Sequence, residues 1–166
     1  PYGELPLADV QAVSIDDAST TEIGDALSVT RLPGIGWRFG IHIAAPGLGI
    51  VPGSPHDAVA RTRLSTVYMP GHKITMLPDD VVQNYTLQEG RACPAVSLYV
   101  QFDAKTLAIG STETRLENVP IEHNLRHDQL DHIVTTRWLE DAQHQTPDEP
   151  THLQALRPQL DRKSVV

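Results

Sequence analysis

The chain has 166 residues, enough for one domain with a real core, and its 40% hydrophobic and 20% charged fractions are ordinary for a globular protein. A net charge of −8 and an isoelectric point near 5.4 exclude a module that wraps nucleic acid through bulk positive charge, while a site whose cations reverse the local sign remains open. No apolar run approaches the length that spans a bilayer, and the single cysteine, Cys93, cannot form an internal disulfide, in keeping with a reducing cytoplasm.

Residues 11–15 (QAVSI) read as a short strand, and residues 26–32 (ALSVTRL) alternate well enough for a second. PGIG at 33–36 is a turn signal, so WRFGIHIA forms the return strand of a hairpin. A glycine- and proline-rich loop at 45–55 follows. Ser54 then suits a helix cap and Pro55 the first helical position, predicting a short helix through HDAVARTRL. STVYMPGHKITMLP reads as irregular, and Pro78 opens a brief helix through PDDVVQNY. PAVSLYVQFD and TLAIGSTETRL, joined by DAKT, predict a long hairpin. From Asn124 onward LRHDQLDHIVTTRWLEDAQHQ predicts a helix with Leu125, Leu130, Ile133, Val134 and Trp138 on one face, and residues 151–164 begin another. The expected fold is α+β, a mixed, mainly antiparallel sheet with flanking helices. With Pro1 where an initiating methionine would stand, the sequence is expected to be a piece of a longer one.

The chemistry concentrates in SIDDASTTEIGDALSV, residues 14–29, where Asp16, Asp17, Glu22 and Asp25 crowd into a turn between two strands. Such a turn can fold carboxylates toward one point. Hard cations such as magnesium prefer carboxylate oxygens, and metal-bound water can attack a phosphodiester. The plainer reading is that these acids are solvated turn residues, because Asp and Ser populate loops for backbone reasons of their own.

Beyond spacing, the stretch resembles the signature of the ribonuclease II family, which runs I-D-x-x-x-[ST]-x-[DE]-[IM]-D-D-A-[LIV]. Further matches follow in the family's order: GWRFGIHIA, then Gly53, Ser54, Asp57, Ala60 and Arg63, then STVYMPGHKITMLP, which is similar to a T-x-V-Y-x-P…P-M-L-P block. The resemblance covers about residues 8–140 and implies the N-terminal part of an RNB-type catalytic domain over 1–166, with 141–166 as a helical continuation. It implies a magnesium-dependent 3′-to-5′ exoribonuclease that releases nucleoside monophosphates from single-stranded RNA. The rest of the catalytic domain and flanking RNA-binding modules are expected elsewhere in the parent. Asp16, Glu22 and Asp25 stand where relatives place catalytic, metal-binding acids. Tyr68 matches the tyrosine that lies against the RNA near its 3′ end, and Arg63 matches a conserved-pattern basic residue able to hold RNA.

Three departures accompany the match. Gly24 replaces the first aspartate of the family's Asp-Asp pair, Ala45 replaces an aspartate, and Tyr85-Thr86-Leu87 replaces a C-S-L motif. Asp17 is the nearest spare carboxylate, but adjacent strand residues point to opposite faces, so it substitutes only if the turn twists. A catalytically impaired RNA-binding or scaffold relative of the same fold is therefore the alternative. Arg61 and Lys73 are basic residues without a family counterpart. His123 and His127 are spaced i, i+4, although solvated histidines on an exposed helix are the plainer reading.

Overall fold

Three short alternating segments begin a single sheet. The computed structural model describes residues 4–140. It contains β1 (Ala12–Asp16), β2 (Asp25–Leu32) and β3 (Gly36–Ala44), followed by a 3₁₀ turn (Pro46–Gly49) and helix α1 (Pro55–Arg63). A small hairpin, β4 (Val67–Met69) and β5 (His72–Ile74), leads to helix α2 (Asp79–Tyr85). The long strands β6 (Ala92–Asp103) and β7 (Ile109–Arg126) precede α3 (His127–Leu130) and α4 (Thr136–Glu140). The fold is α+β and mainly antiparallel, as expected, and the sheet closes on itself as a barrel in the order β1-β2-β3-β6-β7. A meander of five strands returns to its start with first and last strands pointing the same way. Closure is therefore parallel, β1 beside β7 with Ser14 opposite Asn124 and Asp16 opposite Arg126.

The barrel is narrow, because diameter grows with strand number. Small residues accordingly fill its interior: Ala12, Ser14, Ala26, Ser28, Cys93, Ala95 and Ser97 are all buried. Pairing puts Gly40 between Ser28 and Tyr99, where a side chain would strike Ser28 Oγ and approach His42 Nε2 to 2.6 Å. His42 bridges the interior, its ring nitrogens each 2.8 Å from Ser28 Oγ and Ser97 Oγ. Deeper burial pushes its pKa down to about 4, opposed by Glu117 and reinforced by Arg38. The Tyr99 hydroxyl donates to Glu117 Oε1 at 2.6 Å, and burial followed by that bond pushes its pKa up to about 12.

Two expectations change. STVYMPGHKITMLP is not irregular: Pro70 and Gly71, the latter at φ +72°, turn it into the β4–β5 hairpin outside the barrel. The helix expected from Asn124 does not start there. Residues 124–126 complete β7, pairing in parallel with residues 14–16 of β1. Only four residues of α3 follow, then a break over 131–135 before Thr135 Oγ1 accepts from Trp138 N and starts α4. His123 thus lies on a strand and His127 on a helix, so the i, i+4 pair does not form. The helix expected at 151–164 lies outside the described residues.

Candidate active site

The acidic segment leaves β1 at Asp16 and rejoins the barrel at Asp25. Its anchor is Ile23, which is buried in the core beside Leu87. Alternation about Ile23 turns Glu22 and Gly24 away from that core. The backbone is then fastened from three directions. Leu87 N donates to Ile23 O at 3.0 Å, and Ile23 N donates to Thr86 Oγ1 at 2.8 Å, so the departure at Thr86 retains a hydroxyl that holds the loop. From β7, Arg126 Nη1 donates to the carbonyls of Asp17 at 2.9 Å and Thr20 at 3.3 Å. From the hairpin, Lys73 Nζ donates to Thr21 Oγ1 at 2.7 Å and pairs with Glu22 Oε1 at 3.1 Å.

Asn124 ties this frame together. Its amide nitrogen donates to Ser14 Oγ and to Leu87 O, each at 3.0 Å, and its carbonyl oxygen accepts from Glu89 N at 2.8 Å. Ser14 in turn donates to Asp16 Oδ2 at 2.6 Å. Sequence reasoning missed Asn124 and Arg126 as positioning residues because it assigned that segment to a helix. The strand-like alternation of VPIEHNLR was the available signal.

Two grooves flank the loop. One, about 630 Å³, lies against the hairpin and is lined by Asp17, Ser19, Thr20, Glu22, Tyr68, Met69, Gly71, His72 and Lys73. Tyr68 is 74% exposed there, an aromatic face open to a ligand. The other, about 760 Å³, runs between the loop, α2 and β7, past Gln83, Thr86, Asn124 and Arg126. Asp17 follows the end of β1, where a turn closed by Thr20 N to Asp17 O at 2.9 Å releases it from strand alternation. It is therefore Asp17, with Glu22, that lines the hairpin groove.

The acids named from sequence are not brought together as one ligand set. Asp16 is engaged by Ser14, Glu22 by Lys73, and Asp25 is an exposed first residue of β2 opposite Ile43. Among the described residues no three His, Cys, Asp or Glu side chains converge to hold a metal ion. These residues as arranged do not fit a divalent cation, and the chemistry they carry directly is binding and positioning. Arg63 lines neither groove. Its Nη1 donates to Thr75 O at 2.7 Å and joins α1 to the segment after the hairpin.

Gly24 is required neither by conformation nor by space. Its φ is not positive, and a Cβ built on it meets nothing within 4 Å. It borders an apolar recess of about 190 Å³ lined by Ile23, Ala44, Leu77, Val81 and Tyr85 among others. Ala45 precedes the 3₁₀ turn as its cap residue and supplies no side-chain hydrogen bond, a task an aspartate performs well.

The barrel thus carries an acid-rich loop with an exposed tyrosine beside it and a second groove held by Asn124 and Arg126. The family comparison is specific: residues 5–164 match the RNB domain, and the chain belongs to that family, whose members include exoribonucleases. It is 30% identical over 139 residues to exoribonuclease 2 of Vibrio parahaemolyticus, covering 83% of this chain and 20% of that protein. In fold it resembles Mycoplasma genitalium RNase R in complex with ribose-methylated single-stranded RNA (TM-score 0.73, 19% identity, 98% of this chain and 24% of that one). It also resembles yeast Ssd1, a pseudonuclease (TM-score 0.72, 25% identity, 81% and 17%). The chain thus spans between 7% and 20% of the length of the curated nuclease relatives that it matches.

Proposed function

We propose that the full-length protein is a 3′-to-5′ exoribonuclease acting on single-stranded RNA in the cytoplasm, and that this segment supplies one wall of its site. The groove that sets Asp17, Glu22, Tyr68 and Lys73 side by side carries the reading. An exposed tyrosine favours unpaired bases, whose faces are free to stack. The polar groove past Gln83, Asn124 and Arg126 offers amide and hydroxyl partners for a strand that continues beyond the stacked base. Magnesium is the cation that the family pattern implies, and it would supply Lewis-acid charge and an activated water where carboxylates converge to hold it, which among the described residues of this segment they do not. Asp16, Glu22 and Asp25 are the residues that the family pattern assigns to it, with further ligands and flanking RNA-binding modules from the rest of the parent.

A second reading rests on Gly24: the protein binds RNA on this fold and is catalytically impaired. A glycine supplies neither ligand nor base at the position of a family aspartate. Among related proteins, one from Arabidopsis thaliana is named an inactive exonuclease DIS3L2, and Ssd1 is a pseudonuclease.

The test is incubation of the full-length protein and its Gly24→Asp variant with end-labelled RNA bearing a 3′ overhang, in magnesium. Monophosphate release by the native protein supports the first reading. Binding without release, with release gained in Gly24→Asp by on the order of a thousandfold, supports the second. Neither binding nor release by either form overturns both.

A further inference from the structure

The recess beside Gly24, about 190 Å³, has apolar walls from Ile23, Ala44, Pro46, Leu77, Val81 and Tyr85. Its frame is fixed before anything enters. Ala44 N donates to Gly24 O at 2.8 Å, Leu87 N to Ile23 O at 3.0 Å, and Thr86 N to Val82 O at 2.8 Å. Tyr85 lies against the 3₁₀ turn at Gly49, where a Cβ would come within 2.6 Å of a ring carbon. Glycine at 49 therefore lets an aromatic ring form one wall. Glycine at 24 leaves the recess unfilled, since a Cβ there meets nothing within 4 Å.

The recess is continuous with the polar groove, sharing Glu22, Ile23, Val82 and Thr86 with it. Lys73 and Arg126 bring positive charge to that groove. A dry cavity of roughly 150 Å³ is enough for a benzene ring, so this recess has room for a planar heterocycle. A nucleotide divides in the same way as the site, into a charged sugar-phosphate and a base whose flat faces shun water. An unpaired strand is the form in which one base is free to turn out of line.

We propose that the recess is a base-binding pocket: one nucleobase of an RNA strand lying in the polar groove turns into it, and Gly24 keeps it open. The pocket rests on the RNA reading above, but it concerns binding and stands apart from hydrolysis.

The test measures, by fluorescence anisotropy, the affinity of the full-length protein for a single-stranded oligoadenylate and for the same strand made with abasic sites. Gly24→Leu, which fills the recess, is expected to bind the oligoadenylate about tenfold more weakly, and Gly24→Ala about twofold, in keeping with the loss of one stacked base. Neither variant should change affinity for the abasic strand, and thermal melting checks that each is folded. Native oligoadenylate affinity in folded Gly24→Leu overturns the inference, as does an equal loss on the abasic strand. If native protein binds RNA and releases no monophosphate, the hydrolytic reading fails while the pocket is still judged by Gly24→Leu. If it binds neither strand, both fail.

Discussion

At Gly40 the barrel has no room for a methyl group, because Ser28 and the His42 ring already meet over it. Gly40→Ala must push that buried hydrogen-bonded pair apart, at a cost of about 1–3 kcal/mol, typical of overpacking in a tight core. Urea denaturation checks this, and a loss below about 0.5 kcal/mol would contradict it. Gly24 is the opposite case. Its surroundings are open and its backbone ordinary, so Gly24→Asp is expected to leave the denaturation midpoint nearly unchanged, within about 0.5 kcal/mol. A large loss of stability there would mean that the glycine is structural. The two glycines look alike in the sequence, and only the packing around them separates an obligatory absence of side chain from a dispensable one.

The β4–β5 hairpin shows what elements add. It sits outside the barrel and offers Tyr68, exposed, to the groove shared with Asp17 and Glu22. Tyr68→Ala is expected to weaken binding of a single-stranded oligoribonucleotide by about 1–3 kcal/mol, a loss measurable by fluorescence anisotropy. Little change in melting temperature should accompany it. Unaltered RNA affinity would remove Tyr68 from the interface. Elements such as α1 were legible in advance, because local chemistry dictates them: Ser54 accepts from Asp57 N at 3.2 Å, and Pro55 opens the helix as expected. The strands β2 and β3 were equally plain from alternation and the glycine turn. The hairpin was missed because three-residue strands carry almost no periodicity, leaving only the Pro70-Gly71 pair as a signal. The helix placed at Asn124 failed for a different reason. Its apolar spacing was compatible with helix, and the competing partner was β1, about 110 residues earlier in sequence. The acids of the site were readable as a cluster, but their partners Lys73, Arg126 and Asn124 come from distant strands and were not.

Across the whole molecule, the line Ser28–His42–Ser97 links β2, β3 and β6 through a histidine held neutral by burial. Its folded pKa, about 4, lies below the unfolded value of 6.5. The unfolded chain therefore binds the proton first, and stability that is complete above pH 6.5 is lost as pH falls toward 4. Denaturation midpoints measured from pH 7 to pH 4 are expected to fall, by up to about 3 kcal/mol in unfolding free energy for this group. His42→Gln should flatten that slope even if it lowers stability at pH 7. An unchanged slope would assign the acid sensitivity to other groups.

Parallel closure of the barrel also has a consequence in time. Strands β1 and β2 can pair as soon as they emerge from the ribosome, but β1 waits for β7, so the ring closes only when nearly all of the described chain has been made. Arg126 and Asn124, which hold the acidic loop from below, sit at the far end of that last strand. Within the described residues, the segment that carries the acids is thus made well before the strand end that secures it. A nascent chain released before residue 126 would display its carboxylates on an unfastened loop.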